Sequence, residues 1–161
     1  MEVKMIEGRE MTIVGTVAVG ESVDDINIGQ LWERFERKYS AIKYKINGKD
    51  YELHFEDDSA PKRHLCFIGV EVTAIVDLPL ELFVKVVPGY TYAVFIHCFS
   101  DGGYQEAYRQ IDQWLSNSQY QAAASFDIQC YDKRFKGRDN PESVLEFYVP
   151  VKQKNPCFIK R

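Results

Sequence analysis

At 161 residues, 45% hydrophobic and 14% aromatic, the chain has apolar surface enough for one core, which excludes a disordered chain and calls for no second domain. Its 20 Lys and Arg stand against 24 Asp and Glu, for a net charge of −4. The basic residues are scattered except for Lys133, Arg134, Lys136 and Arg138, and no helix-turn-helix or finger accompanies them, so direct nucleic-acid binding is not expected. Cys66, Cys98, Cys130 and Cys157 lie far apart, with no C-x-x-C pair and no His at ligand spacing. Reduced thiols are expected, and neither a metal nor another cofactor. With no signal peptide and no apolar run of about 18 residues, the chain is expected in the cytoplasm, away from membranes.

The run Met11–Gly20 is rich in β-branched residues and ends on Gly, which predicts a strand and a turn. Ile28, Leu31, Trp32, Phe35 and Tyr39 follow at helical spacing, with Glu33, Arg34, Glu36, Arg37 and Lys38 turned outward; Asp24, Asp25 or Asn27 caps the start of this helix. Asn47-Gly48 predicts a hairpin joining Ile42–Ile46 to Tyr51–Phe55. After a charged loop, His64–Ile75 is the next strand. The order then repeats. Tyr90–Phe99 is a strand, and Tyr104, Tyr108, Ile111 and Leu115 mark a helix bordered by Trp114. Phe126–Tyr131 and Val144–Val151 are strands around a polar loop. We therefore expect an α+β fold of tandem β-α-β-β repeats with pseudo-two-fold symmetry, formed by residues 1–161 with half-repeats of about 1–80 and 81–161.

The closing strand carries Glu146 between Val144 and Tyr148 on one face, while Leu145, Phe147, Val149 and Val151 share the other. A carboxylate among apolar neighbours either faces solvent or lines a cavity that receives a partner. Aligning Val70-Glu71-Val72 with Leu145-Glu146-Phe147 sets Glu71 opposite Glu146, with Phe67 on the Glu71 face. One short helix per half covers only one side of an antiparallel sheet, so the other face is solvated, paired, or folded into a central cleft. Pseudo-symmetric clefts of that kind are common ligand sites.

The order of elements and the segments YTYAVFIHCF, YRQIDQWL, FDIQCYDKRF and VLEFYVPVK resemble the GyrI-like small-molecule-binding domain, also found as the effector-binding domain of AraC-type and MerR-type transcription regulators. The resemblance spans nearly the whole chain; its most specific piece is the acid four positions before Pro150, matched by Glu146. It implies a hydrophobic, aromatic-lined cleft in which an acid meets a flat cation. Glu146 is the acid that carries over, with Tyr148, Glu71, Phe67, Trp114, Tyr92 and Tyr131 as further ligand-binding candidates chosen by face and neighbourhood. The expected partner is a hydrophobic or cationic aromatic small molecule, and the expected role that of a stand-alone sensor or sequestering protein, since no DNA-binding segment precedes the first strand. Relatives of this kind also include hydrolases of strained, cyclopropane-bearing electrophiles, in which Glu146 would act as general base, and proteins that inhibit DNA gyrase.

Overall fold

The computed structural model describes residues 1–155 except Asp58 and Ala60. Cys157 lies outside the described residues. In chain order the strands are β1 (Glu2–Glu7), β2 (Met11–Gly20), β3 (Asp50–Asp57), β4 (Arg63–Glu71), β5 (Phe83–Val87), β6 (Thr91–Cys98), β7 (Tyr120–Ala122), β8 (Phe126–Tyr131) and β9 (Val144–Gln153). Helix α1 (Ile28–Lys38) follows β2, and α2 (Tyr104–Asn117) follows β6. The two predicted β-α-β-β sets are therefore present, as β2-α1-β3-β4 and β6-α2-β8-β9, in one antiparallel sheet of order β1-β6-β9-β8-β3-β4-β2-β5, with β7 added beside β9.

Alternation along each strand sorts the side chains into two cores on opposite sides of the sheet. On the helix side, Leu31 and Phe35 of α1 bury against Val14, Cys66, Ile68 and Val70. Ala107 and Ile111 of α2 bury against Phe95, Leu145, Phe147 and Val149. The other side holds Ile13, Leu53, Phe67, Tyr92, Val94 and Ile128 in a single cluster drawn from both strand sets.

That second cluster closes because the chain ties the ends of the sheet together. Only residues 8–10 separate β1 from β2, and only residues 88–90 separate β5 from β6, yet each pair sits at opposite ends of the strand order. Such a link spans at most about 14 Å, so the sheet must curl until its helix-free faces meet. The expected cleft on that face is accordingly filled by side chains, and the open space lies on the helix side. At the point where the two links touch, a Cβ on Gly89 would stand 2.7 Å from the Gly8 carbonyl oxygen, and one on Gly8 would stand 2.6 Å from the Tyr92 ring. Only glycine permits that approach.

Two local expectations change. Ile42–Ile46 is not a strand: Ile42 is buried beneath α1, and Lys45 turns its ammonium back on the Tyr39 carbonyl at 3.1 Å, leaving only an isolated bridge from Lys45 to Val72. Gly48 (φ 102°) instead makes the turn into β3. The strand predicted for His64–Ile75 runs over Arg63–Glu71.

Candidate functional site

Helices α1 and α2 each cover their own strands and leave a gap above the two central strands, β3 and β8. A cleft of about 1400 Å³ occupies it. Its floor is the polar face of those strands: Glu52 and His54 from β3, Asp127, Gln129 and Tyr131 from β8, with His64 of β4 at the side. Helical spacing supplies the walls. Ile28, Trp32, Glu36 and Tyr39 line one side from α1 and its last turn, and Tyr104, Tyr108, Ile111 and Leu115 line the other from α2.

Glu52 is 4% exposed, which demands compensation. Its Oε2 accepts the Trp32 indole N–H at 2.6 Å, and its Oε1 lies 2.8 Å from His54 Nε2. The Trp32 ring in turn meets the Tyr131 ring edge-on at 5.0 Å. Burial opposes charge on His54, but the hydrogen bond and field of Glu52 outweigh it and raise the imidazole pKa. His64, 2.9 Å away from Nε2 to His54 Nδ1, shifts down through burial and the His54 charge.

A second chain of hydrogen bonds runs along β8 and has one consistent direction. Tyr131 donates to Gln129 Oε1 at 2.7 Å, the Gln129 amide donates to the Tyr108 hydroxyl at 2.9 Å, and Tyr108 donates to Asp127 Oδ2 at 2.9 Å. With the Tyr131 proton committed, Tyr104 donates to Tyr131 at 3.2 Å. Burial pushes Asp127 up to about 6. Among the described residues, eight carboxyl groups line the cleft, against the cationic side chains of Lys49, Lys133 and Arg138. The arrangement presents aromatic walls, a buried acid and an excess of negative charge.

Of the seven residues expected at the site, Tyr131 lines this cleft. Glu146 pairs across the sheet with Cys130, and both point to the helix-free side; there Arg134 Nη2 donates to Oε1 at 2.6 Å and Tyr148 to Oε2 at 2.9 Å. Burial raises the Glu146 pKa, but Arg134 and Tyr148 outweigh it and leave the group below its usual value. That is the reverse of the raised pKa a general base needs. Glu71 is also on the helix-free side, 4% exposed, with Arg9 Nη2 on its Oε2 at 2.9 Å. Phe67 and Tyr92 are buried in the shared core of that side. Trp114 packs edge-on against Phe95 at 5.2 Å and stacks on Tyr120 at 5.8 Å, away from the cleft.

The buried acid at the floor of this cleft is Glu52, and the indole on it is that of Trp32. The signal in the sequence is β3 itself, where Asp50, Glu52, His54 and Glu56 alternate with Tyr51, Leu53 and Phe55. Such a pattern reads as a solvated face unless the strand is known to lie under a gap between two helices.

An antiparallel sheet carrying one helix per β-α-β-β set is the fold that the resemblance to the GyrI-like effector-binding domains implied. The family model described as integron-associated effector binding protein matches residues 4–151, and the chain belongs to that family. The transcriptional regulator BrlR of Pseudomonas aeruginosa is 29% identical over 153 residues, covering 94% of this chain and 56% of the regulator. The chain therefore spans about half the length of that relative. An integron cassette protein of Vibrio cholerae superposes with a TM-score of 0.65 at 19% identity, covering 93% of this chain and 95% of its own. SAV2435, solved bound to tetraphenylphosphonium, superposes at 0.68 with 18% identity, covering 94% of each chain. At these identities the solved structures show the fold. No helix among the described residues is long and apolar enough to cross a membrane.

Proposed function

We propose that the cleft between α1 and α2 binds hydrophobic aromatic small molecules that carry positive charge, with Glu52 meeting the charge and Trp32, Tyr104, Tyr108 and Tyr131 meeting the flat body. The observation that carries this reading is the buried Glu52 carboxylate, fixed by Trp32 and His54 at the floor of an aromatic-walled, acid-rich cleft. The effector-binding family supports it, as does the lipophilic cation bound by SAV2435. Cation–π and charge-assisted contacts contribute about 1–2 kcal/mol each in a desolvated site, which sets a micromolar regime. Binding would serve to sequester the compound or to report it to a partner protein.

Calorimetric titration with tetraphenylphosphonium tests the proposal. Glu52→Gln is expected to weaken binding about tenfold or more, corresponding to about 1.4 kcal/mol, and Glu146→Gln to leave it unchanged. Wild-type affinity in Glu52→Gln would overturn the assignment of the acid.

A hydrolytic reading has one group in its favour: Asp127, pushed up to about 6 and hydrogen-bonded to Tyr108, is matched to proton transfer near neutral pH. Turnover of a cyclopropane-bearing electrophile, lost in Asp127→Asn, would establish it; recovery of the compound unchanged would dismiss it.

A further inference from the structure

We propose that Glu52, His54 and Cys66 form a transition-metal site, suited to Zn²⁺, at the floor of the cleft, with His64 as the outer partner of His54. Strand pairing assembles the set. His54 lies directly across from Cys66 in the β3–β4 ladder, so both side chains emerge on the helix side, and Glu52 shares that face two residues before His54. One ligand atom from each residue lies within 4.8 Å of the other two. All three residues are buried, with exposures of 4%, 7% and 0% for Glu52, His54 and Cys66.

The donor set is one carboxylate oxygen, one imidazole nitrogen and one sulfur, a combination that Zn²⁺ accepts at about 2.0–2.3 Å in tetrahedral geometry. Tetrahedral bonds of that length set neighbouring ligand atoms roughly 3.4–3.6 Å apart, so the set closes with side-chain movements of about an ångström. Sulfur binds a metal as the thiolate. As the S–Zn bond forms, the thiol proton leaves to solvent.

The outer shell is also built. With the metal on His54 Nε2, the proton on Nδ1 is donated to His64 Nε2 at 2.9 Å, and His64 Nδ1 in turn faces Glu56 Oε1 at 3.9 Å. Metal-bound imidazoles characteristically donate their second N–H in this way. Packing explains Cys66, and an ion pair explains Glu52 with His54. Neither requires a second buried imidazole placed end-on to the first.

Three protein ligands leave a fourth position, and it faces the cleft, because Glu52, His54 and His64 border that space. A metal there engages Glu52 and withdraws it from organic cations. The site shares Glu52 with the proposed binding function and does not depend on it.

The test uses the full chain stripped with a chelator and titrated with Co²⁺. A thiolate-to-cobalt absorption band saturating at about one ion per chain is expected, bleached by Zn²⁺ and retained in Cys98→Ser. Cys66→Ala should lose the band while keeping its circular dichroism, and His64→Ala should weaken the metal about 10–100-fold. Zn²⁺ should also reduce tetraphenylphosphonium binding in the wild type and leave it unchanged in Cys66→Ala. No band in the wild type, or a band surviving in Cys66→Ala, overturns the site. A cobalt band in a protein that binds no tetraphenylphosphonium would sink the organic-cation reading and leave the metal site standing.

Discussion

Glu71 and Glu146 show how one arginine each changes what a strand carboxylate can do. Both acids face away from the helices, as alternation along their strands requires, and both are consumed by partners: Arg9 for Glu71, Arg134 and Tyr148 for Glu146. The lowered Glu146 pKa carries a sign. A carboxylate held below its unfolded value adds stability above that value, near 4.3, and loses it as pH falls through the folded value. Glu146→Gln should therefore cost on the order of 1 kcal/mol at pH 7 and show a smaller drop in urea midpoint between pH 5 and pH 3 than the wild type. A drop as large as the wild type's would remove Glu146 from the acid-sensitive groups. The sequence revealed that Glu146 needed compensation, but Arg134 sits twelve positions away in a loop whose path no periodicity records. For the same reason nothing in the sequence singles out Glu52, because its indole partner lies on another element twenty positions earlier.

The elements that were legible are those whose pattern is set by their own burial. Helix α1 was readable from the Leu31 and Phe35 stripe, and its start was narrowed to Asp24, Asp25 or Asn27, of which Asn27 is the cap, its side chain accepting from the Gln30 N–H at 3.0 Å. Asn27→Ala should lower stability by about 1 kcal/mol, and Leu31→Ala by about 2–5 kcal/mol, measured by urea unfolding. Equal costs for the two would mean that α1 is held by its cap more than by its buried face. Strands β1 and β5 escaped notice because each is an edge strand, with Met5, Ile6, Phe83, Val84 and Val86 all more than a third exposed and charged residues interleaved. Short half-exposed strands give neither clean alternation nor a continuous apolar run. The Asn47-Gly48 signal misled because the preceding residues had a stronger use, with Ile42 inside the α1 core. Face-sharing was legible in β4 and β9, where Glu71 and Glu146 fall on the face the alternation assigned them. Which face stays open was not, since that depends on the gap between two helices far apart in sequence.

For the whole molecule, the decisive feature is that two three-residue links join the ends of the strand order. Gly89→Ala brings a Cβ to 2.7 Å from a backbone oxygen that has little room to move. The expected cost is about 1–3 kcal/mol, read from the urea midpoint, with hydrogen exchange accelerated first at β1 and β5. A midpoint equal to the wild type's would show that the links flex apart freely. The same topology pairs residues distant in sequence, such as Tyr51 with Cys130 and Val3 with Phe95. Folding is then expected in the millisecond-to-second range typical of non-local sheets.

Strand β9 is the last described strand of the chain, yet it lies inside the sheet, between β6 and β8. A ribosome making about 5–20 residues per second finishes β6 roughly 3–10 seconds before it finishes β9. Throughout that interval β6 has one bare edge, and β8, once made, has no neighbour on that side. The newborn protein is at its most adhesive while it waits for this interior strand, and a chaperone that shields strand edges would act in that window.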